Sequence, residues 1–126
     1  NHFHFCVKQE GIQDLSEFLR SLCVRYAMYF NKKYGSVGHI FQDKYKARLV
    51  QGDVDLIHLS RYIHLNPHDC GERPLHYPYS SFANYCGKDS PAWLNATFIL
   101  NIFSHMFGVQ KSDVCKIYKR FVLYDV

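Results

Sequence analysis

One stretch limits what this chain can build more than any other: Asp53 to Pro67, DVDLIHLSRYIHLNP. It reads as a single helix. Asp53 follows Gly52 and suits the start, and Pro67 bounds the far end. Leu56, Leu59 and Ile63 recur at helical spacing and predict a buried stripe. His58, Tyr62 and Asn66 lie four apart and predict a second, polar stripe. A phenol and an amide one turn apart on one face can reach the same bound group.

The opening residues offer a matching feature. Residues 2 to 9 alternate, with His2, His4, Cys6 and Lys8 facing one way and Phe3, Phe5 and Val7 the other. This period of two predicts a half-buried strand. Two histidines separated by one residue then project from one face, roughly 7 Å apart by strand rise, close enough to converge on one metal ion. An ordinary strand with surface histidines has the same spacing, so spacing alone leaves both readings open.

A long helix is predicted from about residue 12 to 33, with Leu15, Phe18, Leu19, Leu22, Cys23, Tyr26, Ala27 and Phe30 as its core-facing stripe and Gly35 beyond its end. A second strand is predicted over about Tyr45 to Gln51. In it Lys44, Lys46 and Arg48 alternate with Tyr45, Ala47 and Leu49, which suits a phosphate-tracking face or a plain solvated one. His64, His68 and Cys70 cluster in sequence but fit no standard zinc spacing. Beyond Gly87 two helices are expected, about 95–106 and 111–123, joined through Gly108. Lys111, Lys116, Lys119 and Arg120 make the last one basic. Such a pair is either a helix-turn-helix or an accessory hairpin.

Composition sets outer bounds. The chain has 126 residues, enough for one domain with a modest core. A net charge of +4 permits a nucleic-acid partner without requiring one. Five scattered cysteines with no Cys-x-x-Cys pair predict reduced thiols and a cytoplasmic protein. No apolar run approaches the roughly 20 residues of a membrane span.

Five blocks, taken in order, carry a resemblance. They are NHFHF at 1–5, YFNKKYG at 29–35, GHIFQDKYKA at 38–47, RYIHLNP at 61–67 and YPYSS at 77–81. Together they resemble the single-tyrosine HUH transposases, in particular the REP-associated, IS200-like branch. The resemblance implies an α+β fold: a ferredoxin-like antiparallel sheet with packed helices. That sheet is incomplete here, because the histidine strand stands at residue 2 where the family places earlier elements before it. The chain is therefore expected to be an N-terminally truncated piece. Residues 1–87 form the expected catalytic domain and residues 88–126 a helical accessory segment, the C-terminal hairpin.

The resemblance also implies a chemistry. The family cleaves single-stranded or hairpin DNA and transfers strands through a 5′-phosphotyrosine link, usually as a homodimer. It assigns the nucleophile to Tyr62 and a divalent metal, Mg2+ or Mn2+, to His2 and His4. Asn66 completes the metal site where the best-known branch carries Gln. Lys44, Lys46, Arg48 and Arg61 are the expected DNA contacts. The competing expectation is a non-cutting, DNA-binding remnant of a transposase.

Overall fold

The computed structural model describes residues 2–11 and 15–124. These divide into two units, one of residues 1–6 with 50–126 and one of residues 7–49. Five α-helices occur among the described residues: α1 (Leu15–Tyr34), α2 (Gly52–Leu65), α3 (Phe82–Tyr85), α4 (Ala96–Phe107) and α5 (Val114–Tyr124). Short 3-10 turns at Asn66–Cys70 and Pro74–His76 link α2 to α3.

The expected α+β fold is overturned. No strand, and so no ferredoxin-like sheet, occurs among the described residues. Residues 2–9 and 45–51 have the alternation of strands but no ladder. Alternation records only which side chains share a side. A strand exists when a neighbour matches its N–H and C=O groups, and no neighbour does so here. The side-chain consequence survives locally: the rings of Phe3 and Phe5 lie 4.9 Å apart, and the rings of His2 and His4 4.8 Å apart.

The 7–49 unit is built on α1. Expected to be the main core helix, it contains no buried residue, and Phe18, Leu22 and Tyr26 are exposed. The expected first turn at 12–14 lies outside the described residues. Gly35 (φ 63°) ends the helix in the left-handed region, which costs glycine little. The chain then folds back along α1. Ser36 Oγ donates to Asn31 Oδ1 (2.9 Å), the Asn31 amide donates to the Gly38 carbonyl (3.0 Å), and Phe41 lies 5.9 Å from Tyr26.

The core belongs to the other unit. Ile57 of α2 packs with Phe82 and Tyr85 of α3, Ile99 and Phe103 of α4, and Val114, Tyr118, Phe121 and Val122 of α5. Residues beyond Gly87 thus share one core with α2 and α3. Their hairpin is locally specified. The Asn95 side chain caps α4 by accepting the Phe98 N–H (3.1 Å), and Gly108 (φ 62°) closes it.

The buried face of α2 is rotated from the predicted one. Leu56, Leu59 and Ile63 are only half-buried, whereas Ile57, Ser60 and His64 are fully buried. The shift is about 100°, one residue's turn of the helix. Two polar groups occupy the core because they complete one hydrogen-bonded chain. Ser60 Oγ donates to the Ile57 carbonyl (2.8 Å) and accepts from the Tyr118 hydroxyl (2.9 Å). With its only proton so used, Tyr118 accepts from His64 Nδ1 (2.9 Å). A neutral His64 then accepts from Ser81 at Nε2 (3.0 Å). Every member is satisfied, and no buried side-chain polar atom lacks a partner among the described residues.

At the start of α2, Asp53 does not act as the expected cap. Asp55 instead reaches back to accept the N–H of Gln51, the residue before the helix, at 2.9 Å.

Burial lowers the His64 pKa from 6.5 to about 4, so it is neutral in the fold. A depressed pKa means the unfolded chain binds the proton more readily between those values. His64 therefore contributes stability in full above pH 6.5, and loses it as pH falls towards 4, by roughly 3 kcal/mol in total. Urea unfolding at pH 7 and pH 4.5 should show this loss, and His64→Gln should flatten that part of the profile. Tyr118→Phe should cost about 1–3 kcal/mol at pH 7 by orphaning two buried groups.

Candidate functional site

Anchoring one face of α2 dictates what the other presents. Tyr62 lies about 170° around the helix from the centre of the buried Ile57–Ser60–His64 arc. It accordingly points to solvent, 52% exposed. Asn66 follows one turn later, half-buried. Its N–H donates to the Tyr62 carbonyl, so helical geometry runs through the junction and keeps Asn66 on the Tyr62 stripe.

The histidines come to this face although some 60 residues separate them from it. His4 and Tyr62 meet edge to face, ring centroids 5.4 Å apart and planes at 74°. His2 and His4 approach through their Nε2 atoms at 3.1 Å. One Nε2 donates there and the other accepts. Burial, and secondarily the nearby His2, hold the His4 imidazole below its ordinary pKa, which favours its neutral, lone-pair-bearing form.

Two nitrogens at this separation suit a shared cation. Both rings could ligate one cation through Nε2. Loading would displace the proton now shared between the rings. The donor set is sparse: no group of three or more His, Cys, Asp or Glu gathers for a metal among the described residues. Asn66 makes no hydrogen bond to either ring among them. It remains the one further protein donor that the sequence suggested.

The expected DNA contacts divide. Lys44, Lys46 and Arg48 are exposed and belong to the 7–49 unit. Arg61 is half-buried. Its Nε donates to the Phe121 carbonyl at 2.8 Å, and its guanidinium lies 5.6 Å from the centre of the Phe121 ring. It ties α2 to α5. His58 also approaches Phe121, with ring centroids 6.3 Å apart.

Tyr62 and His2 are exposed. A groove of about 520 Å³ in this unit, lined by Asp53, Phe98, Asn101, Ile102, His105 and Met106, contains none of these residues. An open face suits a polymeric substrate whose phosphate must reach the hydroxyl from solvent.

Residues 1–66 match the family model described as Transposase IS200 like. That is just over half of the 126 residues. The chain belongs to the IS200-like transposase family. The match spans the histidine pair, α1, α2 and Tyr62, and it ends at Asn66. No curated protein and no solved structure matches the chain. Membership in a transposase family implies a DNA-handling, transposition-related activity. No helix among the described residues is long and apolar enough to cross a membrane.

What sequence reasoning missed in this IS200-like chain is the support of the site. Ser60 and His64, one turn apart on α2, look like surface residues until Tyr118 supplies their partner. A tyrosine in the otherwise apolar stripe of α5 is the signal that a buried polar partner is needed.

Separation of site from core predicts unequal costs of substitution. Tyr62→Phe and His2→Gln should leave unfolding free energy within about 0.5 kcal/mol of the parent in urea titrations. His64→Ala, which removes the donor to the Tyr118 hydroxyl and the acceptor of Ser81 and opens space beside Phe82, should cost several-fold more.

Proposed function

We propose that this chain is a metal-dependent tyrosine transesterase that cleaves and rejoins single-stranded or hairpin DNA, with Tyr62 as nucleophile. The supporting observation is the meeting of His4 with Tyr62, beside a His2–His4 pair of metal-binding separation. In this reading the Tyr62 oxygen attacks a backbone phosphorus. The Tyr62 O–P bond forms and the bond to the 3′ oxygen breaks. The 3′ oxygen leaves and takes up a proton, while the phenol proton passes to solvent. The products are a 5′-phosphotyrosine link and a free 3′-hydroxyl. Attack of a 3′-hydroxyl on that link restores the phosphodiester and the phenol. The link conserves the bond, so rejoining requires no other energy source.

A free phenol has a pKa of about 10 and is a weak nucleophile at neutral pH. Positioning therefore carries much of the rate. The network of Ser60, His64 and Tyr118 fixes α2 and with it the direction of Tyr62. His2 and His4, with Asn66, would hold the Mg2+ or Mn2+. The ion would supply Lewis-acid polarisation of the phosphate. Lys44, Lys46 and Arg48 contribute charge towards the DNA backbone. Arg61 acts through its bond to Phe121, and any DNA contact it makes is secondary to that role. The working unit in this reading is a homodimer in the cytoplasm; Phe3 and Phe5, each about half exposed, offer a second copy an apolar edge.

A 3′-labelled hairpin oligonucleotide tests the chemistry, because the 5′-phosphotyrosine retains the fragment downstream of the cut. With Mn2+ the label should co-migrate with the denatured protein. Tyr62→Phe should abolish the adduct, and His2→Ala or His4→Ala should reduce its rate by more than about tenfold. Binding of the oligonucleotide with no adduct in Mg2+ or Mn2+ would instead identify a non-cutting transposase remnant.

A further inference from the structure

We propose that the solvent face of α5 is a second DNA-binding surface, a track for single-stranded DNA carried by Lys116, Lys119, Arg120 and Tyr124. It rests on DNA being the partner, as the family implies, and not on cleavage at Tyr62.

The helix has two sharply different sides. Val114, Tyr118, Phe121 and Val122 are buried in the core. Lys116, Arg120 and Tyr124 recur every fourth residue on the outside and are exposed, with Lys119 half-buried beside them. Each step of four rises about 6 Å along the axis, so the cations and the ring form one line.

A merely solvated helix face typically mixes charges of both signs and pairs them at one-turn spacing. This one does not. From Val114 to Tyr124 there is no acidic residue. Asp113, just ahead of the helix, accepts the Ser112 hydroxyl (3.1 Å). Among the described residues no carboxylate pairs with Lys116, Lys119 or Arg120; the ion pair found there joins Lys8 to Glu10. Three cations with no carboxylate partner among the described residues, held on one rigid helix, complement a row of phosphates. Rigidity comes from the inner side, where Tyr118 bonds Ser60 and His64, and the Phe121 carbonyl accepts from Arg61.

Tyr124 points to the form of the DNA. Its ring is 72% exposed at the end of the cationic line. An exposed aromatic can stack on an unpaired base, whereas duplex bases are already stacked on each other. Cations in line with a free ring therefore fit a single strand. This surface lies outside the 1–66 segment that carries the family match.

The test is equilibrium binding in a Tyr62→Phe background, so that no adduct forms. Fluorescence anisotropy compares a 5′-labelled oligothymidine of about 20 nucleotides with a blunt duplex of equal length, each titrated across salt. Lys116→Gln with Arg120→Gln should weaken binding to the single strand more than tenfold at low salt. It should also make the log–log salt slope shallower by about 1.4, as loss of two phosphate contacts requires. Tyr124→Leu should weaken single-strand binding about fivefold or more, with an unchanged slope and no effect on the duplex. Circular dichroism establishes that each variant keeps its helices. Parental affinity and slope in the double variant overturn the proposal. So does a duplex bound as tightly as the strand, with Tyr124→Leu silent on both. With Tyr62 restored, adduct formation is followed separately in the parent and in the double variant. Absence of adduct in parent and variant alike counts against the transesterase reading and leaves the binding result standing.

Discussion

His64 receives a proton from Ser81 and gives one to Tyr118, which passes its own to Ser60 and so to a backbone carbonyl of the same helix. Three segments far apart in sequence, α2, the turn before α3, and α5, meet in that chain of hydrogen bonds. Its direction is not free. The carbonyl at the end can only accept, and each hydroxyl has one proton, so each donor–acceptor role follows from the one before. The chain is enclosed by aromatic rings: Phe82 stacks on His64 at 5.3 Å, with Tyr85 at 4.5 Å and Tyr118 at 5.9 Å. Burial away from water in those apolar surroundings explains why His64 stays neutral and why Tyr85 is pushed up to about 12 and Tyr118 further still.

Consequences run outward from there. A helix fixed in rotation by two buried polar side chains cannot present its opposite face in more than one way. Tyr62 is exposed because Ser60 and His64 are not. The same rotation leaves Leu59 and Ile63 only half-covered, although hydrophobicity alone would place them innermost. Arg61 completes the attachment by bonding the main chain of α5, and so the residues after Gly87 become part of what orients the tyrosine. The tail supplies most of the buried apolar side chains and is inseparable from the core under the site.

The two regions that alternation marked as strands show how far a local pattern reaches. In residues 2–6 the pattern does its side-chain work, grouping His2 with His4 and Phe3 with Phe5. The backbone half of the expectation fails because pairing is a property of two segments. The long helix α1 fails in the same way. Its apolar stripe is plain in the sequence, yet a stripe states what can be buried and not what will cover it; in its own unit only a returning loop does so, in part.

The sequence by itself determined the helices, their stops at Gly35 and Gly108, the family blocks over residues 1–66, and the identities of His2, His4, Tyr62 and Asn66 as the residues worth watching. These are readable because caps, breakers and i-to-i+4 spacing act over a few residues. Only the tertiary structure decided that α2 turns on Ser60 and His64, that Tyr118 holds both, that Arg61 serves α5, and that His4 lies against Tyr62. Those facts depend on partners 50 to 60 residues away. A polar side chain looks the same in the sequence whether water or a distant hydroxyl will satisfy it, and only the packed chain supplies the answer.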